Sequence, residues 1–355
     1  MKTYQNPFAA GSDPFAMLDE DGYYYIYTSG LHLYRSKDLV DLEDLGKFYE
    51  EQDTDWFDRY ESAPECYRFN GRYFIFYTPN EKNNPCGEKE NGRVAVLVSD
   101  SPTGPFSDYL GRPLFDPGYA VIDAHVYHED GRYWLYWSRT CYHHPVGPQD
   151  LEESWIYGCE MKSDFTGLIG TPRLMTRPEQ EWESRTVAAH KRRWNEGMFV
   201  FKHKSTYYMT FSSDTFEDYA VGYATAPHPL GPWIKAPENP ILEGHPGLGV
   251  YAPGHNSFVR SKDGTELFMV YHMVTDREMA SVPLPPLPFD PVYPDARKKT
   301  GYELQHAAGY DFMDAVPCRD KRRKIAIDRV HITSDGRLVL DGPTVDPQPF
   351  PSGNE

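Results

Sequence analysis

Asp13 in "GSDPF", Asp123 in "VIDAH", Glu196 in "WNEGM" and His255 in "APGHN" each stand just ahead of a strongly apolar, aromatic run. A carboxylate that enters an interior is costly unless its charge is used or neutralised there. Carboxylates brought close together raise at least one pKa, and two whose proton affinities are pushed apart can act as base and acid. Cleavage of a glycosidic bond suits such a set. One acid protonates the leaving oxygen, another activates water or attacks carbon, and a third holds the proton donor in place and keeps its pKa high. Taken singly, each acid has a plainer explanation, as a turn cap or as the partner of an arginine.

The elements that would gather these residues are repeated strands. "DGYYYIYTSG" at 21, "NGRYFIFYTPN" at 70, "DGRYWLYWSRT" at 130, "KSTYYMTFSSD" at 204 and "DGTELFMVYHM" at 263 each pair a two-residue turn of Asp-Gly type with a dense β-branched or aromatic run. Asn-Gly and Asp-Gly supply the positive φ angles of a tight hairpin, and a run apolar on both faces is covered on both sides. Five such units predict an all-β chain folded as a five-bladed β-propeller over residues 1–355, a pair of β-sandwiches being the alternative. A Pro-rich excursion over about 277–320 interrupts the fifth unit, and "RKIAIDRVHITSDGRLVL" is expected to complete that blade. Nine residues before the turn glycines or their equivalents lie Asp13, Ser62, Ile122, Glu196 and His255, with Asp123 one residue off. In a propeller the strand before this turn is innermost, so these positions would meet at one mouth of the central channel.

Composition narrows the partners. Lys and Arg number 36 against 53 Asp and Glu, a net charge of −17, which argues against nucleic acid and against anionic membranes. No run of 18 apolar residues exists to span a bilayer. Aromatics at 15% favour strands and flat ligand surfaces such as sugar rings. "MKTYQNPFAAG" has no apolar leader, and the five cysteines are widely spaced without a C-x-x-C pair, so reduced thiols in a cytoplasm are expected. Nucleophile-elbow, dinucleotide and P-loop motifs are absent from the sequence.

The remaining candidates are read one by one. Trp56, Phe57, Tyr60 and Trp194 could stack on a sugar, with ordinary packing as the alternative. His255 on the channel axis could hold a cation directly or through water, calcium being better served by oxygen ligands. His125 and His128 lack zincin spacing and are expected to be structural, and His143–His144 to be solvated. "KRRW" at 191 and "KRRK" at 321 are expected to be solvated faces, the first of them flanking the site.

In order along the chain, "GSDPFAMLDEDGYYYIYTSG", "ESAPECYRFNGRYFIFYT", "VIDAHVYHEDGRYWLYWS", "NEGMFVFKHKSTYYMTFSS", "APGHNSFVRSKDGTELFMVYH" and "DGRLVLDGPTVDPQP" resemble glycoside hydrolase family 43, in particular its propeller β-xylosidases and α-L-arabinofuranosidases. The resemblance implies an inverting hydrolase acting on an oligosaccharide. Asp13 would be the general base, Asp123 the residue that orients the acid and raises its pKa, and Glu196 the general acid. It further implies a channel calcium near His255 and a substrate-binding arginine, matched weakly by Arg277. The chain departs from the common pattern at Ala124, Ser62 and Met198, which leaves the sugar open; a galactofuranosidase, an anhydrosugar glycosidase and a non-catalytic carbohydrate-binding propeller remain alternatives.

Overall fold

The structure, a computed structural model, describes residues 2–82, 92–146, 149–187, 190–213, 219–275 and 323–354. Among these, every regular element is a strand except two short 3-10 turns. The turn chemistry in the sequence explains the hairpins. Asn70-Gly71 (φ 52° and 80°) and Asp130-Gly131 (φ 50° and 73°) form the expected two-residue turns between Phe57–Phe69 and Arg72–Glu81, and between Val121–Glu129 and Arg132–Val146. Lys204 (φ 54°) takes the same role without a glycine. The first and fifth hairpins differ from expectation. They turn over Asp19–Tyr23 and Ser261–Glu266, where aspartate side chains cap the longer loops through Tyr23 N and Thr265 N.

Each hairpin opens a blade. Four blades are four-stranded, beginning with the inner strands Phe15–Leu18, Phe57–Phe69, Glu196–His203 and Tyr251–Arg260. Blade 3, beginning at Val121–Glu129, has six strands because Ser184–Val187 and His190–Trp194 add to Gln149–Met161. The inner strands contact one another in a closed ring of five, and an aromatic and aliphatic core fills each of the five gaps between blades. The five-bladed propeller read from the sequence is thus the fold. Blade 5 takes its outer strands, Arg323–Ile332 and Leu338–Leu340, from beyond the Pro-rich stretch; that stretch, 277–320, lies outside the described residues.

All five inner strands share one irregularity at the same mouth. In blade 2, Ser62 pairs with Thr78 and Glu65 with Phe76, so Ala63 and Pro64 face the single residue Tyr77. Asp123-Ala124, Gly197-Met198 and His255-Asn256 face Trp137, Phe211 and Tyr271 in the same way. Asp13-Pro14 faces Thr28 between the Ser12–Ser29 backbone bond and the Phe15–Tyr27 pair. These are β-bulges, and the first residue of each is left-handed: Asp13 φ 52°, Ala63 46°, Asp123 58°, Gly197 57°, His255 45°. Four of the five are not glycine, at roughly 1–2 kcal/mol each.

The amides freed by the bulges are taken by the preceding blade. Ser29 Oγ accepts from Ala63 N (2.9 Å), Ser212 Oγ from His255 N (2.8 Å) and His272 Nδ1 from Asp13 N (3.1 Å). In blade 3 the corresponding Ser138 is replaced in this role by Asp123, whose Oδ2 accepts from Gly197 N at 3.0 Å. The bulge register also corrects the alignment read from the sequence. Asp13, Asp123 and His255 are equivalent, whereas Glu196 stands one residue before its bulge, in line with Ser62 and Ile122.

The ring is closed by the N-terminal segment. Phe8 N and Gly11 N donate to Ile325 O (2.8 Å) and Arg323 O (2.9 Å), and Ile325 N donates to Ala9 O (2.9 Å). Buried Asn6 imitates a strand residue: Nδ2 donates to Ile327 O (2.8 Å) and Oδ1 accepts from Ile327 N (3.0 Å). Asn6→Ala is expected to strand both backbone groups and to lower the unfolding free energy by about 1–3 kcal/mol in urea titrations. An unchanged midpoint would show that this clasp is dispensable.

Candidate active site

Two residues after Gly11, Asp13 is aimed into the mouth by its bulge. Its Oδ2 accepts from Ser29 Oγ at 2.5 Å, and Oδ1 lies 3.3 Å from Arg323 Nη1 and 3.2 Å from His255 Nδ1. Burial alone would raise this carboxyl, but the charges of His255 and Arg323 and the Ser29 bond outweigh it and hold Asp13 at about 2. Asp13 is therefore ionised at neutral pH, as a general base must be.

Glu196 is shifted in the opposite direction. Its Oε2 accepts from Trp194 Nε1 at 2.5 Å and its Oε1 from the Tyr219 hydroxyl. Burial still pushes the carboxyl above its ordinary range, against the pull of those donors and of His255. Asp123 is also raised, first by burial and then by Glu196 and Asp13, with His255 and the Gly197 amide opposing. The two acids on blades 3 and 4 are thus shifted upward, opposite to Asp13.

His255 stands among all three acids. A Cβ on Gly197 would lie only 3.0 Å from its imidazole, so the glycine after Glu196 lets the ring pack on the strand. Burial would keep the imidazole neutral, but Asp13, Asp123 and Glu196 together raise its proton affinity. His272 behaves otherwise. Burial and Arg323 keep it neutral, consistent with Nδ1 accepting the Asp13 amide.

Beneath this layer the channel is filled by the side chains two residues past the bulges. Phe15 packs against Tyr67 and Phe199, Ser257 Oγ donates to Pro14 O at 2.8 Å, His125 Nδ1 meets Glu65 Oε2 at 2.9 Å, and His125 Nε2 accepts from Val200 N at 2.9 Å. With Val200 N–H as donor, His125 carries its proton on Nδ1 and is the structural histidine its spacing suggested. His128 stacks on Tyr133, with centroids 4.4 Å apart.

Several expectations are corrected. Trp56 does not reach the carboxylates: it packs edge-on against Phe57 and donates to Asp108 on the outer strand of blade 2 at 3.0 Å. Trp194 belongs to the site, but it is 2% exposed and has no free face for a sugar; its contribution is the hydrogen bond to Glu196. Arg277 lies outside the described residues, and the arginine on Asp13 is Arg323, from the basic run read as a solvated face. Arg323 follows the Pro-rich stretch directly, so only its place at the start of a returning strand could have marked it. Tyr219, Ser29 and His272 were missed as well. Ser29, just past Tyr24–Thr28, and His272, within Leu267–Val274, lie on second strands at the bulge level, a signal readable only once the register is known.

A channel calcium, implied by the resemblance, is not matched by a direct ligand set. No three His, Cys, Asp or Glu side chains among the described residues close on one point, and His255 turns Nδ1 to Asp13. No helix of the described residues is long and apolar enough to cross a membrane.

Comparison with known proteins agrees with this arrangement. The family described as "Glycosyl hydrolases family 43" matches residues 4–284. A "Beta-D-galactofuranosidase" of Aspergillus niger is 31% identical over 208 residues, covering 56% of this chain and 50% of that protein. An "Extracellular exo-alpha-(1->5)-L-arabinofuranosidase" of Streptomyces avermitilis is 25% identical over 300 residues, covering 79% and 58%. The chain thus spans between half and three-fifths of the length of these relatives. The crystal structure of a thermostable family-43 glycoside hydrolase superposes over 98% of this chain and 99% of its own, with a TM-score of 0.78 and 32% identity. A ring of five blades that gathers Asp13, Asp123 and Glu196 around one histidine, matched by the family over most of its length, makes this chain a member of glycosyl hydrolase family 43.

Proposed function

We propose that the protein is an inverting exo-glycosidase that releases a terminal pentose, xylose or arabinofuranose, from an oligosaccharide. The observation that carries this reading is the opposed tuning of two buried carboxyls on different blades: His255 and Arg323 hold Asp13 at about 2, whereas burial pushes Glu196 above its ordinary range. Asp13 takes a proton from water as that water attacks the anomeric carbon, and Glu196 gives its proton to the leaving oxygen. Asp123, bonded to the amide next to Glu196, orients the acid and helps keep its pKa high. His255 stands beside both Asp13 and the Glu196 strand, which favours separated carboxyls with water between them over direct attack on carbon.

Exo action is supported by the shape of the mouth. Blade 2 extends past its bulge through the Phe57–Glu81 pair, and blade 3 through Val146–Gln149 with Leu151–Ser154 running parallel to Lys191–Trp194. Two neighbouring walls on one side of the mouth suit a chain end. The similarity to a galactofuranosidase supports a second reading, with a terminal hexofuranose as the sugar. A cytoplasmic location is supported by Cys66 and Cys159, both buried and free.

The test is a panel of nitrophenyl β-xyloside, α-arabinofuranoside and β-galactofuranoside, with the anomer released followed by proton NMR. Turnover of a pentoside with inversion is expected. Preference for the galactofuranoside selects the second reading, and retention or no turnover refutes the proposal.

A further inference from the structure

Tyr219 belongs to no motif of the sequence, yet its hydroxyl donates to Glu196 Oε1 while Trp194 Nε1 donates to Oε2. The two donors are not equivalent. An indole N–H can only donate, whereas a phenol can donate or accept. Oε2 faces an N–H and cannot direct a proton towards Trp194. Oε1 can carry the proton, because Tyr219 can turn its O–H away and present a lone pair. The same hydroxyl therefore satisfies both forms of Glu196.

The ring itself is fixed. A Cβ on Gly254 would lie 1.6 Å from Tyr219 Cδ1, so the strand passes directly against the ring and only glycine fits. The His272 ring centroid is 5.3 Å away, and the Arg323 guanidinium carbon stands 5.4 Å over the ring. Rotation of the hydroxyl is the freedom that remains. The other groups facing Glu196 are accounted for. Asp123 is engaged by Gly197 N; His255 and Arg323 balance Asp13; His272 is held neutral by burial and Arg323, and its Nδ1 accepts from the Asp13 amide. Behind Asn195, buried Glu183 is paired with Lys235.

From this geometry we infer that Tyr219 is the positioning residue of the general acid, keeping the Glu196 proton on Oε1 and donating to the carboxylate once that proton has left. The inference rests on the reading of Glu196 as the acid. In the step, the Oε1–H bond breaks as the leaving-group O–H forms and the anomeric C–O bond breaks. Asp13 takes the proton of the attacking water, and Tyr219 turns but loses no proton. Its bond favours the ionised form of Glu196, so Tyr219 makes the acid stronger.

The experiment is Tyr219→Phe, which removes one oxygen and keeps the ring. The Glu196 carboxyl, labelled with carbon-13 and assigned through Glu196→Gln, is titrated by NMR in both proteins, so the result does not depend on turnover. The midpoint is expected to rise by about one pH unit, a tenfold gain in proton affinity. The alkaline limb of kcat/KM should move with it, and kcat on an oligosaccharide should fall about tenfold while an activated nitrophenyl glycoside changes less than about threefold. An unmoved Glu196 midpoint overturns the inference, as do equal losses on both substrates with an unmoved alkaline limb. If Tyr219→Phe does not fold, 3,5-difluorotyrosine at position 219, a stronger donor, must lower the midpoint, and an unchanged value overturns the inference. Wild-type protein that turns over no glycoside refutes the proposed function instead, while the midpoint comparison still decides the role of Tyr219.

Discussion

Replacement of Glu196 by glutamine is expected to reduce kcat on an oligosaccharide by about 10³–10⁴-fold, near the upper range for loss of a positioned acid. The amide oxygen can still accept from Trp194 while its NH2 donates to the Tyr219 hydroxyl, so the pocket is retained while the transferable proton is lost. A nitrophenolate leaving group needs little protonation, and its turnover should fall by no more than about tenfold. The alkaline limb of the rate profile should vanish in the variant, because that limb reports the ionisation of Glu196, whose pKa burial raises. Equal losses on both substrates, with the limb intact, would remove Glu196 from the role of acid.

Asp13→Asn is expected to abolish turnover of good and poor leaving groups alike, again by about 10³–10⁴-fold, since water must be activated in either case. Azide needs no deprotonation and should partly restore turnover of the nitrophenyl glycoside to Asp13→Asn, giving the inverted glycosyl azide. The substitution also has a cost in stability. The folded carboxyl sits at about 2 against an ordinary 3.8, so its contribution of about 2 kcal/mol is fully present above pH 4 and is lost as pH falls towards 2. The difference in urea unfolding free energy between wild type and Asp13→Asn should therefore shrink between pH 5 and pH 2. A gap that is constant with pH would show that Asp13 is not stabilised as the ion.

The fold was readable because its signal is local and repeated. Asn70-Gly71 and Asp130-Gly131 force tight turns, and the runs that follow are apolar on both faces, which a propeller blade requires. The acids were readable because a carboxylate ahead of such a run has few structural explanations. The bulge was not readable. Its left-handed position carries Asp, Ala, Asp, Gly and His, a set with no common propensity, because the conformation is imposed by acceptors on the preceding blade rather than by the residue itself. Without that register Glu196 looked equivalent to Asp13, and Ser29 and His272 looked like ordinary strand residues. Trp56 and Trp194 were misjudged for a related reason. An indole near a site can pack or hold a carboxylate as readily as it can meet a sugar, and only burial tells these apart. Arg323 was hidden because a basic run gives no sign of which member turns inward.

The bond from Arg323 to Asp13 joins residues 310 positions apart, and it lies beside the strand that closes the ring. During synthesis the future base emerges 310 residues before the guanidinium that steadies it. Until then a half-made chain can have several finished blades and still be unable to attack a substrate. Under the proposed function, competence therefore arises as a single event once Arg323 is in place, and termination upstream of it is expected to leave the protein inert rather than partly active.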